Sequence, residues 1–288
     1  MDYLTYWGLT RRPFAQDDQD FFFAGSAQRE VMAGLGYFVA GTWNSAFLVA
    51  PQRSGATWLL RQLKQTSGFG DCAAEVILTS GVANATDGAQ AAQTLAEAMG
   101  TTLTENLWTG EDRETDPVNR ISRSIQASSQ KGIRTVWLID DCAASTATLA
   151  RDLVMADGDL SVVMGTTPEN LSRMTSAFGR CCMQIELDAL DVAETFRYIA
   201  SGLRHAEFRI NPNVSTSKPD EPVFTDTAIV RMHEISHGRL AALAAVAEAS
   251  LQLGAAYQVS TITPSVVETI IATSAHADYA PAASAKAA

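Results

Sequence analysis

The stretch Ala46-Phe47-Leu48-Val49-Ala50-Pro51-Gln52-Arg53-Ser54-Gly55-Ala56-Thr57 decides how this chain folds. Its first four residues form an apolar run too short for a helix and right for a buried strand. Pro51 and Gly55 then punctuate a loop over residues 50–55. From residue 56 to residue 64 the apolar residues recur at helical spacing. A strand, a loop and a helix in that order aim free backbone N–H groups at the space beyond the strand end. That makes the loop a phosphate-binding candidate.

Outward from this stretch, strands and helices alternate from about residue 28 to residue 187. Strands are expected at 46–49, 74–79, 135–139, 160–164 and 184–187, and helices at 56–64, 87–99, 119–131 and 147–155. The strands are mostly continuous apolar runs, as in a parallel sheet covered on both faces. Residues 104–117 are polar and acidic and read as a loop. After Asp191 the pattern is helical only, over 191–206, 226–237, 239–253 and 263–274, with a Pro/Ser/Asp-rich loop at 211–222. The expected class is α/β: a parallel sheet covered by helices, with a small C-terminal all-α lid. The expected division is a core over 1–190, a lid over 191–275 and a disordered tail over 276–288.

The usual P-loop reads G-x-x-x-x-G-K-[ST]. Here Gly55 supplies the second glycine and Thr57 the hydroxyl that would ligate Mg²⁺, but Ala50 replaces the first glycine and Ala56 the lysine. The N–H groups of residues 54–57 still suit an anion, because that cradle needs backbone geometry and not side chains. The missing ammonium removes a charge-assisted contact of about 1.5–3 kcal/mol. It weakens phosphoryl transfer further, since charge on the transferring group is stabilised there. Arg53 is a candidate substitute, or simply a solvent-facing side chain. The run Thr135-Val136-Trp137-Leu138-Ile139-Asp140-Asp141 looks like a Walker B strand. Asp140 would share Mg²⁺ with Thr57, and Asp141 would polarise the attacking water. The plainer reading of each is an ordinary turn and a strand end with two solvated acids.

Composition bounds the rest. The 288 residues allow one large domain or two modest ones. At 47% apolar and 18% charged, the chain is neither wholly disordered nor collagen-like. A net charge of −11 and a pI near 4.8 argue against unaided binding to DNA or anionic membranes. No apolar run is long enough to cross a bilayer, and the first residues lack a secretory signal. Cys72, Cys142, Cys181 and Cys182 form no C-x-x-C spacing and read as reduced, small apolar residues. The expected compartment is cytoplasmic.

Several stretches together resemble the AAA+ ATPases of the general-secretion-pathway A (ExeA-like) type, related to transposition ATPases of the MuB and TnsC kind. Tyr6-Trp7-Gly8-Leu9-Thr10-Arg11-Arg12-Pro13-Phe14 is similar to that family's opening F-G-L-x-x-x-P-F, and Phe22-Phe23-Ala24-Gly25-Ser26-Ala27-Gln28-Arg29-Glu30 to its next segment, which leads into a helix with an apolar face ending near Tyr37. Later, Phe178-Gly179-Arg180, Glu186-Leu187-Asp188-Ala189-Leu190 and Glu194-Thr195-Phe196-Arg197-Tyr198-Ile199 resemble its Q-R-I, L-x-P-L and E-T-x-x-Y-I run. Phe224-Thr225-Asp226 and Ser236-His237-Gly238-Arg239-Leu240 resemble its lid. The likeness runs from residue 3 to about 272.

The resemblance implies the P-loop NTPase (AAA+) fold, ATP or ADP with Mg²⁺, nucleotide binding by Arg53, Ser54, Gly55, Ala56 and Thr57, and metal ligation by Thr57 and Asp140. It also implies Asp141 as catalytic acid, Thr166 as sensor 1, Arg180 as an arginine reaching a neighbour's nucleotide and Arg239 as sensor 2. Arg180 and Arg239 read otherwise as surface arginines, Trp7, Phe14 and residues 21–23 as packing anchors, and His237 as a helix-start residue. Ala50 and Ala56 break the pattern where the chemistry is most demanding. Three functions follow. The favoured one is a degenerate, pseudo-ATPase-like AAA+ protein acting by assembly with other AAA+ subunits and protein partners in a ring or filament. The alternatives are an active ATPase with an unusual loop, energising a secretion or DNA-transaction complex, and a non-enzymatic binding module. DNA is a disfavoured partner for so acidic a chain.

Overall fold

The computed structural model describes residues 2–15, 21–41, 43–67, 69, 72–81, 88–99, 117–156, 159–180, 182–206 and 222–277. The chain divides into two compact units, Ala24–Asp188 and Met1–Phe23 with Ala189–Ala288.

The first unit is built on a five-stranded sheet. Its strands are β1 (Ser45–Val49), β2 (Ala74–Ser80), β3 (Arg134–Asp140), β4 (Leu160–Thr166) and β5 (Met183–Glu186). Their order is β2-β3-β4-β1-β5, with every pairing parallel. The sheet is buried on both faces, so β1, β3 and β4 are continuous apolar runs, as the sequence requires. The two-residue period of the strands divides their side chains between two cores. Phe47, Trp137, Ile139, Val162 and Met164 pack under α4 (Gly88–Ala98), α5 (Pro117–Ser129), α6 (Ala144–Ala156) and α7 (Pro168–Phe178). Ala46, Leu48, Val136, Leu138, Val163 and Ile185 pack under α2 (Ser26–Ala40) and α3 (Ala56–Thr66). Buried Trp137 keeps its indole N–H satisfied by Thr79 Oγ1 at 3.0 Å. Arg134 closes the end of α2, donating from Nη1 to the carbonyls of Val39 (2.7 Å) and Gly41 (3.0 Å).

The second unit contains α8 (Val192–His205), α9 (Asp226–Ser236), α10 (Leu240–Ala256), α11 (Pro264–Ala277) and the short α1 (Tyr3–Trp7). Asp191 starts α8 with a reciprocal capping box: the Glu194 N–H donates to Asp191 Oδ1 at 2.6 Å, and the Asp191 N–H to Glu194 Oε2 at 3.3 Å. Residues 1–23, assigned to the core in the sequence reading, group here with the helices. Trp7 Nε1 donates to the Leu251 carbonyl at 2.7 Å, and Tyr6 Oη to that of Val259 at 2.8 Å. The Tyr3 hydroxyl and Arg12 Nε both reach Glu248 Oε1, the latter at 3.1 Å. Phe14 packs on Tyr198 with ring centroids 5.5 Å apart. Trp7 and Phe14 are thus packing anchors, as the bland reading held.

The expected strands and helices are present, with ends moved by one to three residues. Two helices were not expected, α1 and α7. The loop at 104–116, most of the loop at 211–222, the tail beyond 277 and Cys181 lie outside the described residues. Cys72, Cys142 and Cys182 are free thiols. No helix among the described residues is long and apolar enough to cross a membrane.

Candidate functional site

The connections of the sheet change direction between β1 and β4. The chain leaves β1 through α3 on one face, whereas α6 and α7 lie on the other. Open parallel sheets offer a crevice beyond the strand ends at such a point. Val49, the last residue of β1, is in register with Thr166, the last of β4.

The loop between β1 and α3 is tied down from inside. The Ala50 N–H donates to the Thr166 carbonyl at 2.9 Å, and the Ser54 N–H to the Pro51 carbonyl at 3.1 Å. Arg53 (φ 64°) and Gly55 (φ 95°) both turn left-handed, which swings the chain into the first turn of α3. Gly55 suits that φ because it carries no Cβ; Arg53, exposed, bears the strain. Ser54 is buried, and its Oγ has no partner. A buried hydroxyl without a hydrogen bond is costly, and one lodged in a loop at a helix N-terminus suits an acceptor such as a phosphate oxygen.

Beside this loop ends β3. The Thr57 hydroxyl stands near enough to the Asp140 carboxylate to act on its ionisation, so the two residues that the resemblance assigns to Mg²⁺ do meet. Burial pushes the Asp140 carboxyl above the ordinary carboxylate range. The Thr57 hydroxyl counters that rise, the charge of Asp141 adds to it, and the charge of Arg61 counters it. The chain turns sharply after Asp140, with Asp141 at φ 51° and exposed. Two glycines make room for the turn. A Cβ on Gly81 would lie 2.4 Å from the Asp141 carbonyl oxygen, and one on Gly165 would lie 3.0 Å from that of Ile139. The Cys142 N–H donates to the Gly165 carbonyl at 2.8 Å, holding the acidic turn beside the end of β4.

A hydroxyl and a carboxylate oxygen fit Mg²⁺, which takes one or two protein oxygens and fills the rest of its octahedron with water and phosphate. No cluster of three or more His, Cys, Asp or Glu side chains stands ready for another metal among the described residues. At position 56 there is only a methyl group, where the usual P-loop carries an ammonium.

The structure thus brings together residues 53–57, Asp140, Asp141 and Thr166. It does not bring Arg180 to them. α7 runs back from the end of β4 toward the start of β5, and its 11 residues span about 16 Å. Arg180 follows α7, exposed, at the opposite end of the sheet. Arg239 belongs to the helical unit, half-buried, directly before α10. Sequence reasoning missed Arg61, whose charge acts on Asp140, and the two glycines that seat the acidic turn. Arg61 was detectable only as a cation four residues after Thr57.

The fold is that of the AAA+ P-loop NTPases: a five-stranded parallel sheet enclosed by helices, with an all-α unit after it. No protein-family model and no curated protein matches the chain. Solved structures do. A Walker-type ATPase of Pyrococcus abyssi superposes with a TM-score of 0.58 at 12% identity, over 92% of this chain and 79% of that one. Drosophila ORC bound to DNA gives 0.56 at 12% identity, over 91% and 70%. ORC2 of Aeropyrum pernix, in ADPNP and ADP complexes, gives 0.55 at 11% identity, over 91% and 72%.

Proposed function

We propose that this chain is a degenerate AAA+ protein that works by assembly. It takes ATP or ADP with Mg²⁺ at residues 53–57 and Asp140, turns it over slowly or not at all, and offers Arg180 to a neighbouring subunit in a ring or filament. One observation carries the reading. Ala56 removes the charge that the chain's own chemistry needs, while Arg180 stands about a helix length from the chain's own loop, where only another molecule can use it. Asp141 and Thr166 are the acid and the polar sensor of that weakened site, and Arg239 is the lid arginine. The acidic surface favours protein partners over DNA, and the same surface with no membrane-spanning helix among the described residues fits a cytoplasmic role. The ExeA-like and MuB/TnsC-like features of the sequence suggest a secretion or transposition setting.

The test compares wild type and Arg180→Ala by mass photometry and ATP turnover, each with and without an active AAA+ partner. Expected are negligible turnover in the isolated chain and a loss of assembly or partner stimulation in the variant, without change in its melting temperature. Rapid turnover by the isolated wild-type chain overturns the proposal. The second reading, an active ATPase using Arg53, draws on the left-handed Arg53 inside the loop. It requires that Arg53→Ala abolish turnover.

A further inference from the structure

One face of α2 packs under the sheet, and the opposite face lies bare. On the bare face Ala33 and Ala40 stand seven residues apart, both exposed, with Gly36 and Tyr37 between them. Tyr37 is 70% exposed, and Trp43, just past the helix, is 44% exposed. A Cβ on Gly36 would meet nothing within 4 Å, and its φ is not left-handed. Nothing within the chain therefore calls for glycine there, where alanine is the better helix former. Small residues on a helix face let a second helix come close, and bare aromatic rings beside them supply anchors.

The two ends of this face carry opposite charges that the chain leaves unpaired. Glu30, near the start of α2, is exposed and makes no ion pair among the described residues. At the far end Arg134 directs its N–H groups to neutral oxygens only: the carbonyls of Val39, Gly41 and Trp43, and Asn44 Oδ1. Beside it opens a polar cavity lined by Gly41, Asn44, Ser129 and Asp159. Asp159 is engaged there by the Ser129 hydroxyl, and no carboxylate pairs with Arg134 among the described residues.

We infer that α2 is a self-association surface, along which two copies of this chain pair antiparallel about a two-fold axis near Gly36 and Tyr37. Setting Ala33 of one copy against Ala40 of the other places Glu30 over Trp43 of the other copy, beside that copy's Arg134 and its cavity. The two-fold makes the same contact twice. This charge match selects a second copy over an unrelated protein: the acid and the guanidinium share one face, at the spacing that the reversed face requires. The small residues allow the helix axes to approach to about 8 Å. A single helix pair is a small interface, so the dimer is expected at about tens of micromolar. All of these residues belong to the unit Ala24–Asp188. The contact is two-fold and needs no nucleotide, whereas the one assigned to Arg180 is head-to-tail, so the two readings fail separately.

The experiment is sedimentation velocity on the full chain without nucleotide, from about 2 to 200 μM, a range that brackets a weak dimer. The proteins are wild type, Arg180→Ala, Ala33→Glu, Glu30→Lys and Tyr37→Ala, each checked by thermal melting. Wild type and Arg180→Ala are expected to pass from monomer to dimer alike. Ala33→Glu, Glu30→Lys and Tyr37→Ala should each weaken the dimer about tenfold or more without lowering the melting temperature. Register is read by mixing Ala33→Cys with Ala40→Cys and oxidising. Peptide mapping should find the two introduced thiols joined to each other. A chain that stays monomeric throughout overturns the inference. So does a dimer that survives Ala33→Glu and Glu30→Lys, one that is lost in Arg180→Ala, or Ala33→Cys joined preferentially to itself.

Discussion

A methyl group at position 56 is the smallest departure in the chain with the largest chemical reach. Restoring the ammonium with Ala56→Lys should tighten Mg²⁺-nucleotide binding by about tenfold, the worth of one charge-assisted contact, readable by calorimetric titration. Asp140 makes a second residue-scale prediction. Its carboxyl is held above the ordinary range by burial. The folded state thus favours the protonated acid; that contribution is full below the unfolded value and is lost as pH rises through the folded one. At neutral pH the ionised group costs stability, so Asp140→Asn should raise the melting temperature at pH 7, with a gain that shrinks toward pH 4. A gain unchanged by pH would assign it another cause. Cys142 gives a third. Burial pushes its thiol up to about 12. Native protein at pH 8 should leave Cys142 unalkylated by mass spectrometry while half-buried Cys72 and Cys182 react, since the thiolate is the nucleophile. At this scale the loop was legible, because Gly55, Thr57 and the two alanines identify themselves by position. Arg61 was not, because its role depends on how α3 docks against β3, and one-dimensional spacing does not carry that.

At the scale of elements, strands were the most legible, since a sheet buried on both faces writes itself as continuous apolar runs. α7 was harder. Its sequence PENLSRMTSAF carries Leu171, Met174, Ala177 and Phe178 on the packed face, and Pro168 reads as a breaker until it is seen to open the helix. α8 had a legible start in Asp191 and Glu194. Its register against the first residues of the chain was hidden in Gly202. A Cβ there would meet Phe14 Cε1 at 2.5 Å and the Pro13 carbonyl oxygen at 2.9 Å. Gly202→Ala should therefore destabilise the helical unit by about 1–3 kcal/mol, despite the better helix propensity of alanine, in denaturant melts followed by circular dichroism. Adding Phe14→Leu to that variant should recover part of the loss. A neutral or stabilising Gly202→Ala would mean that Phe14 moves aside freely.

At the scale of the whole molecule, composition stated the charge plainly but not the partition. Fluorescence anisotropy with duplex DNA should find no appreciable binding at physiological salt, as a net charge of −11 supplies few phosphate contacts. The assignment of residues 1–23 was beyond sequence reasoning, since their partners lie at the far end of the chain. Tyr3 meets Glu248 across 245 positions, and Trp7 meets Leu251 across 244. That span carries a consequence for biosynthesis. Residues 3–14 leave the ribosome long before they find their place, because the partners they pack on do not exist until α10 has been made. At about 5–20 residues per second, Trp7 and Phe14 wait on the order of tens of seconds, bare and aromatic, while the strands of the sheet are made. A nascent chain of this design exposes these adhesive residues before their partners are made, which makes residues 3–14 a natural place for a chaperone to hold.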